Sequence, residues 1–284
     1  MEVLKNRGTT LKIDAENGAA ITYFSCSKSS QEVAIINNQG YNLFEGSLLF
    51  PFPNRLAEGK YTFKGKEYQF PQNDRGKPNA LHGLVHNQKF ELIFKGEDYL
   101  HYRYKYDGSD ESYPFPYIMD VTYIVRQNEL EIEVQILNSG GSPMPCGFGW
   151  HPYFDLQIAK ADCRFKLPNV QKIVVNENLV PTGLKVEFKE FREFQSLKGH
   201  LLDTCFSLDQ VKERSSSFLN CPGLGTLEVW QDHNFPFIQV FKPNEKYIAI
   251  EPMTCGINAF NSKEGLKELS PQEVWALKLG LKFY

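Results

Sequence analysis

The 284 residues carry 31 Lys+Arg against 34 Asp+Glu, a net charge of −3, with 42% apolar and 14% aromatic residues. That composition can bury a large core and excludes a mainly disordered chain, while its near-neutral balance leaves no electrostatic footprint for nucleic acid or an anionic membrane. No stretch reaches the roughly 20 apolar residues of a spanning helix, and Met1 to Arg7 lacks the apolar run of a signal peptide, so the expected address is the cytoplasm.

In chain order, the first informative segment is Leu49-Phe-Pro-Phe-Pro-Asn-Arg55. An apolar strand runs into two prolines and then presents Asn54 and Arg55. A rigid turn ending in a guanidinium suits either an oxygen-rich ligand or a structural ion pair. Tyr61 to Tyr68 follows as a hairpin with Gly65 at its turn. Asp74-Arg-Gly-Lys-Pro-Asn79 reads as a mobile, solvated loop. Asn79-Ala-Leu-His82-Gly-Leu-Val-His86 sets two histidines four apart, but Gly83 argues against a helix there, so the spacing carries no metal-ligand geometry. A hydrogen-bonding imidazole beside a ligand is the better reading of His82.

Leu100 to Tyr106 and Glu129 to Gln135 alternate apolar and polar residues with period two, as half-buried antiparallel strands do. Gly147-Phe-Gly-Trp-His151-Pro-Tyr-Phe154 then holds a histidine among aromatics. Sugars pack their C–H faces on such rings, and an imidazole there suits acid–base work, although a satisfied core histidine would look the same. Leu201-Leu-Asp203-Thr-Cys-Phe206 places an acid in apolar surroundings. In Lys246-Tyr-Ile-Ala-Ile-Glu251-Pro-Met-Thr254 a buried-looking strand ends in a glutamate, which must be paired or functional, and whose pKa desolvation would raise. A short helical turn is expected over Ser262 to Leu269, stopped by Pro271. Trp275, Leu277, Leu279, Leu281 and Phe283 mark a closing strand from Val274 to Tyr284.

Many strands without intervening helices, linkers or repeats imply one all-β domain over 1–284, a large antiparallel β-sandwich. Six scattered cysteines form no CxxC pair, so free, mostly buried thiols are expected.

Together, Pro-Phe-Pro-Asn-Arg, Leu-His-Gly, Trp-His-Pro-Tyr-Phe, Leu-Asp-Thr-Cys-Phe and Ile-Glu-Pro-Met-Thr resemble, in this order, the aldose 1-epimerases or galactose mutarotase-like proteins. The resemblance runs over about residues 40 to 284. It implies a β-supersandwich with the sugar in an open cleft, and interconversion of the α and β anomers of a free aldose without cofactor or metal. By resemblance, Glu251 is the base for the anomeric hydroxyl and His151 the acid for the ring oxygen. His82 contacts sugar oxygens, and Arg55 and Asp203 hold hydroxyls, with Asn54 beside them. The expected partner is a small sugar, with neither nucleic acid nor membrane, on a monomer or weak homodimer.

The sequence departs from the pattern at Leu84, where a second glycine is common. It departs again at His86, where the hexose-6-phosphate branch has Arg, and at Asp155-Leu156 in place of Asn-Leu. Those departures leave the acid–base pair and put the substrate in question. A phosphorylated hexose would need cations such as Arg55 with Arg75 or Lys77. A non-catalytic sugar-binding protein and a hydrolase using Glu251 with Asp203 are further alternatives.

Overall fold

The computed structural model describes the chain apart from Ser30, 39–42 and 156–161. Among the described residues the strands gather into two large antiparallel sheets and smaller ones. The nine-stranded sheet includes Tyr99–Tyr106, Tyr117–Arg126, Glu129–Asn138, Val274–Phe283, Gly225–Asp232 and Arg214–Cys221 as consecutive neighbours. The eight-stranded sheet runs Pro181–Phe188, Val170–Val175, Leu202–Leu208, Phe237–Lys242, Tyr247–Met253, Gly149–Trp150 and Leu48–Leu49, with Tyr153–Asp155 also on Tyr247–Met253.

Period-two alternation explains the arrangement. Val121, Val134 and Leu279 from one sheet and Ile238, Val240 and Ile250 from the other join one continuous apolar core. Intervening residues of the nine-stranded sheet face outward, where Lys278 pairs with Glu131 and Glu133 across the strands. On the eight-stranded sheet the alternate residues Asp203, Gln239, Phe241 and Glu251 lie on the face away from that core. Antiparallel register sets Asp203 opposite Phe241 and Gln239 opposite Glu251. One sheet thus supplies both core and cleft.

Several local expectations need correction. The helical turn is Ala259–Ser262, bounded by left-handed Asn258 and Lys263, so Ser262 closes the helix instead of opening it. Lys267–Leu269 is a strand paired with Met144–Cys146. Tyr247–Met253 continues through Pro252 and does not end at Glu251. Cys26, Cys146, Cys205 and Cys255 are free and buried, whereas Cys163 and Cys221 form a disulfide. Arg164–Lys166 pairs with Arg214–Cys221, which brings those two Cα atoms to 4.4 Å. Such bonds persist in oxidising compartments and are rare in the cytosol. No helix among the described residues is long and apolar enough to cross a membrane. Leu156 of the Asp155-Leu156 departure lies outside the described residues.

Candidate active site

A cavity of about 340 Å³ opens on the outer face of the eight-stranded sheet and is lined by Asn54, Arg55, His82, His151, Asp203 and Glu251. All six residues singled out in the sequence therefore meet in one place. Phe44, Asp74, Arg75, Tyr153, Gln239 and Phe241 complete its walls.

The proline-rich turn and the Leu-His-Gly segment lock together through two strained residues. Asn54 (φ 59°) and His82 (φ 63°) both have left-handed backbones. The Asn54 N–H donates to His82 Nδ1 at 3.1 Å, and the His82 N–H donates back to the Asn54 carbonyl at 3.0 Å. Such backbones cost on the order of 1–3 kcal/mol and cluster at functional sites where the surroundings enforce them. Gly83 is required next door: its φ is +68°, and a Cβ would sit 2.3 Å from the Phe50 carbonyl oxygen. Because Nδ1 of His82 accepts, its hydrogen sits on Nε2. Burial, the neighbouring His151 and the positive Arg55 all hold this imidazole neutral.

Arg55 is steered rather than free. Its Nε donates to Asp74 at 2.9 Å, and Asn79 donates to the same carboxylate oxygen at 2.9 Å. A second guanidinium nitrogen lies 3.9 Å from Asp203. Gln239 connects the rest, accepting from the Asn54 side chain at 3.2 Å and donating to Asp203 at 2.7 Å. The segment from Asp74 to Asn79 is accordingly tied down, contrary to the mobile loop expected. Lys77 turns away and donates to the Glu177 carbonyl at 2.5 Å.

Glu251 and His151 face each other, with His151 Nε2 3.5 Å from Glu251 Oε1. They are 1% and 5% exposed. Tyr153 stacks on His151 at 5.0 Å, with the rings 7° from parallel, and fixes the imidazole plane. Among the described residues, Glu251 Oε2 and His151 Nδ1 are buried without a hydrogen-bond partner. Buried polar atoms are nearly always satisfied; core atoms such as the Tyr102 and Tyr117 hydroxyls are also unpartnered, and what distinguishes Glu251 and His151 is that both line the cavity. Burial lifts the Glu251 carboxyl well above its ordinary value; Asp203 adds to the rise and Arg55 opposes it. Burial lowers His151 to about 3. The pair is thus driven towards carboxylic acid and neutral imidazole.

His86 does not line the cavity. It lies behind Phe44, edge to face at 4.9 Å, and burial lowers its pKa. Sequence reasoning missed Gln239 and Asp74. Gln239 interrupts an apolar strand, but only its register against Glu251 brings it to the site. Asp74 lies in the segment read as a solvated loop, and its partner Arg55 is 19 residues away.

A sequence profile described as aldose 1-epimerase matches residues 3–282. The uncharacterized Escherichia coli protein YihR is 28% identical over 229 residues, covering 76% of this chain and 72% of its own. Rat galactose mutarotase is 28% identical over 189 residues, which is 60% of this chain and 53% of the enzyme, so this chain spans about half that relative's length. Among solved structures, a galactose mutarotase-like protein from Clostridium acetobutylicum superposes with a TM-score of 0.85 at 20% identity, covering 98% of this chain and 93% of that one. Galactose 1-epimerase from Lactobacillus acidophilus gives 0.80 at 16% identity, covering 99% and 93%. At those identities the structural likeness is one of fold.

Proposed function

The chain belongs to the aldose 1-epimerase family, and from that premise we propose that it is a mutarotase that opens and recloses the ring of a free aldohexose, using Glu251 and His151 as its proton carriers. The observation that carries this reading is the buried Glu251–His151 pair, 3.5 Å apart, with an unpartnered carboxyl oxygen in a cleft rimmed by Arg55, Asp203 and Gln239.

The chemistry follows from proton count. Glutamate with imidazolium, and glutamic acid with imidazole, are two forms of one pair holding one proton. In the first form the carboxylate takes the proton of the C1 hydroxyl while the imidazolium gives its proton to the ring oxygen. The bond from C1 to the ring oxygen breaks, a C1 carbonyl forms, and the pair is left neutral. Rotation about C1–C2 presents the other carbonyl face. The hydroxyl oxygen then attacks C1 as its proton returns to His151 and Glu251 re-protonates the carbonyl oxygen. Burial favours the neutral form, which is the form the pair takes while the sugar is open. Each transfer contributes on the order of 10²–10⁴-fold.

His82, with hydrogen on Nε2, and Arg55, oriented by Asp74, serve as donors to sugar oxygens. Asp203 and Gln239 take part in hydroxyl recognition, and Asn54 braces Gln239. The cation placement supports a free sugar over a phosphate ester. Lys77 is engaged elsewhere, His86 is screened by Phe44, and Arg55 already answers Asp74, which leaves Arg75, among the described residues, as the uncommitted cation on the cavity wall. A phosphate dianion needs more compensation than that. Polarimetry of fresh α-glucose and α-galactose should show catalysed mutarotation above the spontaneous rate. A kcat/KM for glucose 6-phosphate ten times higher, about 1.4 kcal/mol of discrimination, would overturn the choice of a free sugar.

A further inference from the structure

The open edges of the two large sheets are not alike. Among the described residues, the nine-stranded sheet ends in Glu91–Lys95 and Gln195–Ser196, and the eight-stranded sheet in Leu48–Leu49 and Pro181–Phe188. Leu48–Leu49 and Gln195–Ser196 have two residues each, and the first is buried. Glu91–Lys95 carries a register irregularity between Leu92 and Phe94, and Lys95 is tied to Glu2. Short strands, bulges and charge are the means by which a fold keeps an edge from pairing. Pro181–Phe188 is different. It has eight residues, and 185–188 pair in regular register with 170–173 on one side. Its other side meets no strand among the described residues, and 182–187 are exposed throughout. Leu184 and Val186 are 63% and 46% exposed.

This edge is held in place. Lys185 pairs with Glu264, and Glu187 pairs with Lys189 at 3.1 Å and Arg192 at 2.8 Å. At the hairpin turn the Glu177 and Asn178 carbonyls accept from Lys77 and Asn79. A strand already fixed in extended form loses little freedom when a second strand adds to it. Strand alternation assigns Lys185 and Glu187 to one face and Leu184, Val186 and Phe188 to the other.

We propose that two copies of this chain meet at this edge, with Pro181–Phe188 pairing antiparallel to itself across a two-fold axis at Val186. In that register Lys185 stands opposite the partner's Glu187, and Glu187 opposite the partner's Lys185. On the other face Val186 meets the partner's Val186, and Leu184 meets the partner's Phe188. Each of these cross-strand pairs joins opposite charges or two apolar side chains. An axis at Lys185 or at Glu187 would set like charges directly against each other. Charge and apolar pattern therefore select one register, and its self-complementarity makes a second copy the occupant. Val186 also lines a cavity that shares Arg55, Asp203 and Gln239 with the catalytic cleft, so the contact sets the rim of each cleft beside the axis. One strand pair covers less than the roughly 1,600 Å² of a standard interface, so the dissociation constant should be on the order of 10–100 µM.

Sedimentation velocity from about 1 to 300 µM should show a monomer giving way to a dimer. Lys185→Glu and Glu187→Lys should each raise the dissociation constant at least about tenfold, and the double variant should return to within about threefold of wild type. Cysteine reads the register directly. Opposite residues of an antiparallel pair have Cα atoms roughly 4.5–5.5 Å apart, within disulfide range. Val186→Cys should therefore give a linked dimer under oxidised glutathione, and Lys185→Cys should not. An unchanged urea midpoint for each variant would show that the monomer fold is kept, as substitution at exposed positions allows. A chain that stays monomeric to about 300 µM, a dimer indifferent to both charge reversals, or linkage through Lys185→Cys as fast as through Val186→Cys would overturn the proposal.

Discussion

Glu228 and Glu251 are both buried glutamates within strands, 6% and 1% exposed, one in each large sheet. Their surroundings drive them in opposite directions. Glu228 accepts from Ser216 at 2.6 Å and Tyr284 at 2.7 Å and pairs with Arg214 at 2.9 Å. Burial alone would raise its pKa, but those three partners outweigh burial and hold it below the ordinary value. Glu251 has a neutral imidazole at 3.5 Å, an orphaned Oε2 and the negative Asp203 in its field. The first carboxylate is finished by its neighbours. The second is left to be finished by a ligand, and that difference separates a structural acid from a reactive one.

The largest effect expected from breaking this contrast is on rate. Glu251→Gln and His151→Asn should each lower kcat/KM for mutarotation by about 10²–10⁴-fold, since each removes one of two obligatory proton transfers. Glu228→Gln should leave the rate within about twofold of wild type, because it lies in the other sheet and its partners Ser216, Tyr284 and Arg214 do not line the cleft. Polarimetry on the three variants decides the matter, and a near-wild-type rate for either cleft variant would remove that residue from the mechanism.

Stability should respond in the reverse sense. Glu228→Gln breaks a satisfied network and should cost about 1–3 kcal/mol, read as a lower midpoint in urea. Glu228 has a lowered folded pKa, so its stabilisation is present above its unfolded pKa and fades as pH falls through the folded value. Glu251 has a raised folded pKa, so above about pH 4.5 the unfolded chain gains by releasing a proton that the fold retains. Glu251→Gln should therefore be at least as stable as wild type at pH 7, with an advantage that shrinks as pH falls toward 4.5. A marked loss of stability at neutral pH would show that Glu251 is held ionised by partners after all.

A smaller effect sharpens the outer part of the site. Asp74→Asn removes the carboxylate that aims Arg55 but leaves both residues in place. Its expected effect is a rise in KM of up to about tenfold with kcat nearly unchanged, since a guanidinium that only holds hydroxyls contributes equally to ground and transition states. A fall in kcat at constant KM would instead put Arg55 in the chemical step.

Much of this was legible in the chain because period-two alternation writes the two faces of a strand directly into sequence. Glu129 to Gln135 and Val274 to Tyr284 read correctly for that reason. The six cleft residues came instead from short motifs of glycine, proline or aromatics and the family resemblance those motifs carry, and the structure sets them around one cavity. What stayed hidden depends on distant partners. Gln239 needs a strand register, Asp74 needs Arg55, and the Cys163–Cys221 bond closes a separation of 58 residues. The helical turn was misplaced because left-handed Asn258 and Lys263 bound it.

The central claim is that Glu251 and His151 act as one buried pair carrying one proton. The pH dependence of kcat/KM, with the spontaneous reaction subtracted, tests it most directly, since it reports the ionisations of the free enzyme. With His151 lowered to about 3 and Glu251 raised well above the carboxylate range, the second proton binds only in strong acid. The profile should then run flat through pH 6.5, the ordinary histidine value, and fall only once Glu251 gives up its proton at higher pH. A sigmoid centred near pH 6.5 that disappears in His151→Asn would mean that His151 titrates independently of Glu251, and would contradict the account.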